Sequence, residues 1–169
     1  KTDGTMWSWG QSYRGEGGHT DRVARSSPVQ VGALTTWLDI ACNGMYQAMA
    51  TTTDNKLYSW GRNNYGQVGD NTRVDRSSPT QIGSLTNWSL VGGGNYFSGA
   101  IKTDGTIWTW GINSSGQLGD NSRTNRSSPV QIGSGTTWFR LTRGVIETGF
   151  SAIKTDGTIW SWGQNSQGT

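Results

Sequence analysis

The sequence has few of the residues on which disulfides, metal sites and membrane spans depend. Of its 169 residues one is Cys, one is His and three are Pro, and 31% are hydrophobic. The single cysteine, Cys42, excludes an intrachain disulfide. His19 has no second His or Cys nearby, so neither a zinc site nor a His-based nucleophile relay can be assembled around it. Because no stretch approaches about 18 consecutive apolar residues, we expect no membrane span.

Charge and catalytic groups are also sparse. The chain has 14 Lys and Arg against 11 Asp and Glu, a net charge of +3, well below the concentrated positive charge of a dedicated nucleic-acid binder. It has no Ser–His–Asp set, no carboxylate pair outside predicted turns and no Gly-rich phosphate loop that opens a helix. We therefore predict a protein that is not an enzyme, uses no cofactor and has no nucleic-acid partner.

Glycine and tryptophan, by contrast, are abundant, with 26 and 10 residues. Gly disfavours helix interiors, whereas Trp, Thr and Ser suit pleated, half-buried strands joined by tight turns. The composition therefore predicts an all-β fold.

An internal repeat organises the chain. The phrase Thr103–Gly111, with its two tryptophans, recurs three more times with small changes, and its second Trp returns at steps of 50 to 52 residues. We assign all 169 residues to one domain built from this repeat. The repeat units are 1–50, 51–100 and 101–152, followed by a partial unit 153–169.

Each unit contains signals for four short strands. Ser98–Lys102 and Thr106–Trp110 flank Asp104-Gly105, which predicts a hairpin closed by a type I′ turn with positive φ at both turn residues. A third strand is expected at Trp88–Val91 and a fourth at Pro129–Ile132. Four antiparallel strands in a unit of this length are typical of a β-propeller blade. We therefore predict about three blades and a partial fourth, an incomplete propeller that either continues in further blades, which we favour, or is completed by other chains head to tail.

Two long phrases carry a family resemblance. Leu57–Asp70 followed by Pro79, and its copy Ile107–Asp120 followed by Pro129, resemble the regulator of chromosome condensation repeat family. The resemblance implies a β-propeller, in this family usually with seven blades. It implies much less about function, because the family includes a nucleotide exchange factor, an ultraviolet-B photoreceptor and a secreted β-lactamase inhibitor.

The chain departs from the family pattern at two places. The photoreceptor signature Gly-Trp-Arg-His-Thr is absent at Gly44 and Gly94, and Gln47 and Phe97 stand where the family often has His. These departures predict a divergent branch of microbial or viral type.

The repeated tryptophans admit two roles. Trp108 and Trp110 are two residues apart on a predicted strand, so both project from one face. They either pack between adjacent blades or form an aromatic platform for sugars or bases. We favour packing, because a residue that repeats serves an environment that repeats. The tryptophans given this structural role are Trp9, Trp37, Trp60, Trp88, Trp110, Trp138 and Trp162.

Arginine pairs such as Arg73 and Arg76 repeat in the polar loops. They either form a basic arc for phosphate or acidic groups or pair with nearby carboxylates such as Asp70, Asp75 and Asp120; we favour ion pairs because the net charge is modest. The Asp and Asn residues of these loops lack the alternating ligands and terminal Glu of a Ca²⁺ loop, so we predict no metal site.

Positions that differ between units are the candidates for binding, because positions needed for the scaffold keep the same residue in every unit. Neutral drift of exposed loops would produce the same variability. The binding candidates are Tyr13, Arg14, Met45, Tyr46, Asn64, Tyr65, Tyr96, Phe97, Ile146 and Glu147.

Three functions fit these features. We predict a non-enzymatic module for protein interaction or structure, carried on an extracellular surface or a virus particle, whose partner is a protein or further propeller blades. The first alternative is a carbohydrate-binding lectin with one shallow glycan site per blade. The second is a regulator similar to a guanine-nucleotide exchange factor, with its active face in blades outside this chain.

Overall fold

The computed structural model describes residues 1–44, 46–143 and 149–164, and these residues form an all-β structure. Among these described residues we find no helix that could span a bilayer. The all-β prediction is confirmed. The strands are β1 Trp7–Gly10, β2 Arg25–Gln30, β3 Trp37–Asn43, β4 Gln47–Thr52, β5 Leu57–Gly61, β6 Arg76–Gln81, β7 Trp88–Gly93, β8 Phe97–Lys102, β9 Ile107–Gly111, β10 Arg126–Gln131, β11 Trp138–Leu141, β12 Gly149–Lys154 and β13 Ile159–Gly163.

The strands form four antiparallel sheets. Two are complete four-stranded blades, β3–β6 and β7–β10, and they lie between a two-stranded sheet, β1–β2, and a three-stranded sheet, β11–β13. The predicted four-stranded blades and the incomplete propeller are confirmed. Since the unit boundaries at residues 50, 100 and 152 fall inside β4, β8 and β12, each unit contributes strands to two neighbouring sheets. That all four sheets make one domain stays a prediction.

The hairpin between β8 and β9 is present, but its turn differs from the prediction. Gly105 has a φ of +77°, whereas Asp104 keeps a negative φ. The Gly105 amide donates to the Lys102 carbonyl at 2.9 Å, and the Lys102 amide donates to the Thr106 carbonyl at 2.9 Å. This is the pattern of a three-residue loop that ends in one left-handed residue. The predicted type I′ turn is therefore wrong, because the loop needs positive φ only at its last residue.

The strand register separates two faces. In the second sheet, Asn43, Gln47, Gly61 and Arg76 lie opposite one another across the four strands. The turn after β3 and the long loop after β5 therefore leave from the same edge. We call this edge, with its counterparts in the other sheets, the loop face. The opposite edge, which carries the turn after β4 and the links between sheets, is the turn face.

Tryptophans pack across the boundaries between neighbouring sheets. Trp110 in β9 is fully buried, and its indole N–H donates to the Gln67 carbonyl of the preceding loop at 2.8 Å. Gly69 lies against the same ring, since a Cβ there would come within 2.5 Å of the Trp110 Nε1. Gly18 lies similarly close to the ring of Trp60, and Gly119 to the ring of Trp162. A second set, Trp37, Trp88 and Trp138, begins β3, β7 and β11, and each of its rings lies 6.0–6.5 Å from the second Trp of its sheet.

Trp9 departs from this packing. Its side chain is 64% exposed, although it occupies the position of the buried Trp60. Trp60 is held because its indole N–H donates to the Glu16 carbonyl, in the loop of the preceding unit, at 2.9 Å. The described residues contain no unit before the first, so the structure does not place Trp9 in the packing role predicted for it.

The inner strands β3 and β11 each contact β7. Gly92 in β7 permits this approach, because a Cβ there would lie 2.4 Å from the Thr142 carbonyl oxygen. Arg143, beyond β11, reaches the Asp39 carboxylate in β3 at 2.6 Å. Asp39 also accepts a hydrogen bond from the Val91 amide in β7 at 3.2 Å. One carboxylate thus ties together three sheets.

Candidate interaction surface on the loop face

A buried asparagine holds each long loop of the two complete blades. Asn63 donates from Nδ2 to the Asp70 carboxylate and to the Val74 carbonyl, both at 3.0 Å. Its Oδ1 accepts from the Val68 amide at 2.9 Å. Asn113 makes the equivalent bonds in the third sheet. Because these loops are fixed from the inside, the side chains on their outer surface are presented by a constrained backbone.

The same loops hold a carboxylate–guanidinium pair. Arg76 lies 2.5 Å from Asp70, and Arg126 lies 2.8 Å from Asp120. Burial opposes the ionisation of Asp70, but hydrogen bonds from Thr72 and Arg76 outweigh it and lower the pKa of that carboxyl. The same balance lowers the pKa of Asp120. The predicted ion pairs with these two carboxylates are confirmed for Arg76 and Arg126. Arg73 and Arg123, the other members of these repeated pairs, have no carboxylate partner among the described residues.

The first unit has a different loop. Ser12 stands in the place of Asn63, and His19 stands in the place of Asp70, with its Nε2 2.8 Å from the Ser8 hydroxyl. Arg25 pairs instead with Asp21, at 2.7 Å. Across the described ranges no three His, Cys, Asp or Glu side chains are grouped so as to hold a metal ion.

Three tyrosines and one arginine meet on the loop face where the second and third sheets adjoin. The Arg62 Cζ lies 5.5 Å from the ring centroid of Tyr46 and 5.1 Å from that of Tyr96. Tyr65 contacts Tyr96 edge-on, with 5.5 Å between their centroids. All four side chains are half-buried. We call these four residues the tyrosine–arginine patch.

Strand register and backbone hydrogen bonds position this patch. Arg62 directly follows β5, and its amide donates to the Tyr46 carbonyl at 2.7 Å. In the next sheet the Ile112 amide donates to the Tyr96 carbonyl at 2.9 Å. Arg62 therefore lies between the turn of its own sheet and the turn of the next, where a guanidinium is attracted to both ring faces.

Three other binding candidates also lie on the loop face. Tyr13, Arg14 and Asn64 are exposed, and Tyr13 is 61% exposed. Arg14 lies 3.6 Å from the Asp75 carboxylate, and the Asn64 Oδ1 accepts from the Gln67 Nε2 at 3.3 Å. Their role in binding stays a prediction.

Phe97 does not lie on this surface. It is the first residue of β8, is fully buried and packs its ring 4.8 Å from that of Phe150. The prediction that Phe97 contributes to an exposed binding surface is therefore wrong. Met45, Ile146 and Glu147 lie outside the described residues.

Arg62 was absent from the binding candidates, although its position varies between units. The equivalent residues are Gln11 and Ile112. The sequence does contain a signal for it. A cation that varies between units lies next to tyrosines that also vary, and the predicted strand register places both positions at the same edge of the sheet.

Lysines stack on the tryptophans at the turn face. Lys102 Nζ lies 3.8 Å from the ring centroid of Trp108, and Lys154 Nζ lies 4.1 Å from that of Trp160. Burial lowers the pKa of Lys102, against the opposing effect of Asp104. A lysine of the same chain covers one face of each of these rings. The contacts therefore favour a packing role over an open platform for sugars.

Comparison with known families agrees with this architecture. A model described as "Regulator of chromosome condensation (RCC1) repeat" matches residues 54–101 and 104–140, and a second model of the same repeat matches residues 38–67. The chain belongs to the RCC1 repeat family. The resemblance inferred from the repeated phrases is thus confirmed.

Several curated proteins share part of the RCC1-repeat chain. It is 32% identical over 91 residues to the RCC1 domain-containing protein RUG3, mitochondrial, of Arabidopsis thaliana, covering 53% of this chain and 20% of that protein. It is 36% identical over 80 residues to the ultraviolet-B receptor UVR8 of the same plant, covering 47% and 18%. Human alsin is 34% identical over 96 residues, covering 54% and 6%. The chain therefore spans a fifth or less of these relatives, and its microbial or viral origin stays a prediction.

Two solved structures share the fold. Human WBSCR16 superposes with a TM-score of 0.78 at 20% identity, covering 93% of this chain and 42% of that one. Yeast RCC1 (Prp20), in its structure with Kap60, gives 0.77 at 22% identity, covering 95% and 40%. At these identities the likeness shows the propeller fold alone.

Proposed function

We propose that this RCC1-repeat chain is a non-catalytic protein-interaction module that binds its partner through the loop face, with the tyrosine–arginine patch at the centre. The observation that carries the proposal is Arg62 placed between Tyr46 and Tyr96 at the junction of two sheets. Tyr and Arg, together with Trp, are the residue types that contribute most to binding energy at protein interfaces.

The framework beneath the patch supports this proposal. Asn63 fixes the loop that carries Arg62 and Tyr65, and it is itself fully buried. A preorganised surface loses less conformational entropy on binding than a mobile one. Rigid loops with aromatic anchors are therefore suited to recognition.

The comparisons support protein partners in general terms. The yeast relative of known structure was crystallised bound to Kap60, and a second structure of it is described with its binding properties toward Gsp1p and histones. Those partners belong to the yeast protein. Nucleotide exchange, glycan binding and a place on a virion or cell surface stay predictions for this chain.

Selection from a random library of 12-residue peptides tests the loop-face assignment. The enriched pool is measured against the 169-residue chain and against three variants: Arg62→Gln and Tyr65→Ala in the patch, and Lys56→Gln on the turn face as the control. We expect both patch variants to weaken binding of the pool at least about fivefold, and the control to stay within about twofold. A pool that binds all four proteins equally, or that loses affinity only for the control, would contradict the proposal.

A further inference from the structure

The two faces of the molecule differ in their positively charged side chains. Strand register places nine arginines but only five carboxylates on the described part of the loop face, whereas the turn face has four lysines and four aspartates. The loop-face arginines are Arg14, Arg22, Arg25, Arg62, Arg73, Arg76, Arg123, Arg126 and Arg143, and the carboxylates are Glu16, Asp21, Asp70, Asp75 and Asp120. The turn-face residues are Lys1, Lys56, Lys102, Lys154, Asp3, Asp54, Asp104 and Asp156. Arg143 is neutralised by Asp39 in β3, which leaves eight arginines against five carboxylates on this face. The excess positive charge of the protein therefore lies on the loop face.

The loop-face carboxylates are largely engaged within the fold. Asp70 and Asp120 are held by Arg76 and Arg126, and Asp21 is held by Arg25. The excess is thus contributed by arginines that these carboxylates do not neutralise.

Three arginines on this face have no carboxylate partner among the described residues. They are Arg62 in the patch and the exposed Arg73 and Arg123, one on each of two neighbouring loops. The contacts of Arg62 with tyrosine rings use none of its five N–H donors in a hydrogen bond to oxygen. A guanidinium fork of this kind matches the two oxygens of a carboxylate.

From this arrangement we infer that the partner segment bound at the loop face is acidic, a stretch of protein rich in Asp and Glu. One carboxylate of that segment pairs with Arg62 between the tyrosines, and others pair with Arg73 and Arg123. This inference rests on the proposed function and specifies the chemistry of its partner.

Charge distribution favours an acidic polypeptide over a nucleic acid. The loop face carries Glu16 and Asp75 among its arginines, and Asp75 lies 3.6 Å from Arg14 and 3.7 Å from Arg22. Interleaved carboxylates repel a continuous phosphate backbone, whereas a peptide can space its charges to match.

Three synthetic 12-residue peptides of matched length test the inference: one with six Glu among Gly and Ser, one with Gln at each Glu position, and one with Lys there. A 12-nucleotide single-stranded DNA serves as the other polyanion. Fluorescence anisotropy gives the affinity of each probe for the 169-residue chain at low and high salt. The variants are Arg62→Gln, Arg62→Lys, Arg73→Gln and, on the turn face, Lys56→Gln, which removes the same charge. Urea unfolding shows whether each variant is folded. If Arg62→Gln does not fold, Arg73→Gln, which changes an exposed arginine, still tests the inference.

We expect the Glu peptide alone to bind, with an affinity that falls as salt rises. Arg62→Gln should weaken that binding about tenfold, Arg62→Lys and Arg73→Gln by smaller factors, and Lys56→Gln by less than about twofold. Equal binding of the Glu and Gln peptides, no binding of the Glu peptide, tighter binding of DNA, or equal effects of Arg62→Gln and Lys56→Gln would overturn the inference. If the library pool still depends on the patch while the Glu peptide fails, the proposed function stands and only the acidic partner is refuted.

Discussion

The indole N–H of Trp110 donates a hydrogen bond to the Gln67 carbonyl across the boundary between two sheets, at 2.8 Å. The same oxygen accepts from the Gln47 Nε2 and from the Ser98 hydroxyl, each at 2.8 Å. The Gln67 carbonyl, in a loop of the second sheet, therefore accepts hydrogen bonds from residues of both the second and the third sheet. The loop that carries Arg62 and Tyr65 is anchored at this point, so packing between blades and the geometry of the patch are linked.

Replacing the buried tryptophan should weaken this junction. Trp110→Phe removes the bond to Gln67 and part of a fully buried ring, so we expect a loss of about 1–3 kcal/mol in the free energy of unfolding. Trp9→Phe changes the equivalent but exposed position and should cost less than about 0.5 kcal/mol. Urea unfolding of both variants measures the difference. Equal losses would show that Trp110 is not a packing residue.

A glycine beside that ring offers a second test. Gly69 and Gly83 both have positive φ, +87° and +64°, but a Cβ would lie 2.5 Å from Trp110 only at Gly69. Gly83→Ala should cost about 1–2 kcal/mol for its backbone conformation, and Gly69→Ala should cost at least about 1 kcal/mol more because the ring must move. Thermal or urea unfolding separates the two. A Gly69→Ala variant no less stable than Gly83→Ala would refute the close contact.

Replacing the buried Asn63 should reduce the free energy of unfolding more than replacing its exposed neighbour Asn64. Asn63→Ala leaves the Val68 amide without its acceptor and removes one of the donors to Asp70, so we expect a loss of about 2–4 kcal/mol in the free energy of unfolding. Asn64→Ala removes one long hydrogen bond from an exposed side chain and should cost less than about 1 kcal/mol. Amide hydrogen exchange at Val68 should accelerate only in Asn63→Ala, and unchanged exchange there would contradict the assignment.

Acid should remove the contribution of the loop carboxylates. The pKa of Asp70 is lower in the folded state than its unfolded value of about 3.9, because the hydrogen bonds from Thr72 and Arg76 outweigh burial. These bonds to the ionised carboxylate therefore stabilise the fold fully above that value. That stabilisation is lost as pH falls through the lower folded pKa. The stability gap between the natural chain and Asp70→Asn should therefore be constant from pH 7 to about 5 and narrow below about pH 4. A gap that stays constant down to pH 3 would refute this role of Asp70.

Much of the fold follows from the repeat. The predicted strands at Trp88–Val91 and Thr106–Trp110 are present, because alternation and turn residues specify local pairing. The turn at Asp104-Gly105 was predicted with the wrong type, since Asp-Gly fits two hairpin geometries. The length of the loop decides between them, and that length depends on where the strand ends at Lys102.

The candidate site was predicted only in part. Variation between units found Tyr46, Tyr65 and Tyr96, but it also selected Phe97, whose burial against Phe150 depends on the neighbouring sheet. Arg62 was missed because its importance comes from two rings on different turns, one of them in the next sheet. Variation identifies positions, whereas contacts between blades decide which of them share a surface.

Hydrogen exchange on the chain, free and saturated with the most enriched library peptide, tests the central claim most directly. If the loop face is the interaction surface, exchange will slow in the loop 62–75 and the turn 94–96, while the turns 53–56 and 103–106 on the opposite face will not change. Protection confined to 53–56, 103–106 or the outer strands, with the loop face unchanged, would contradict the account.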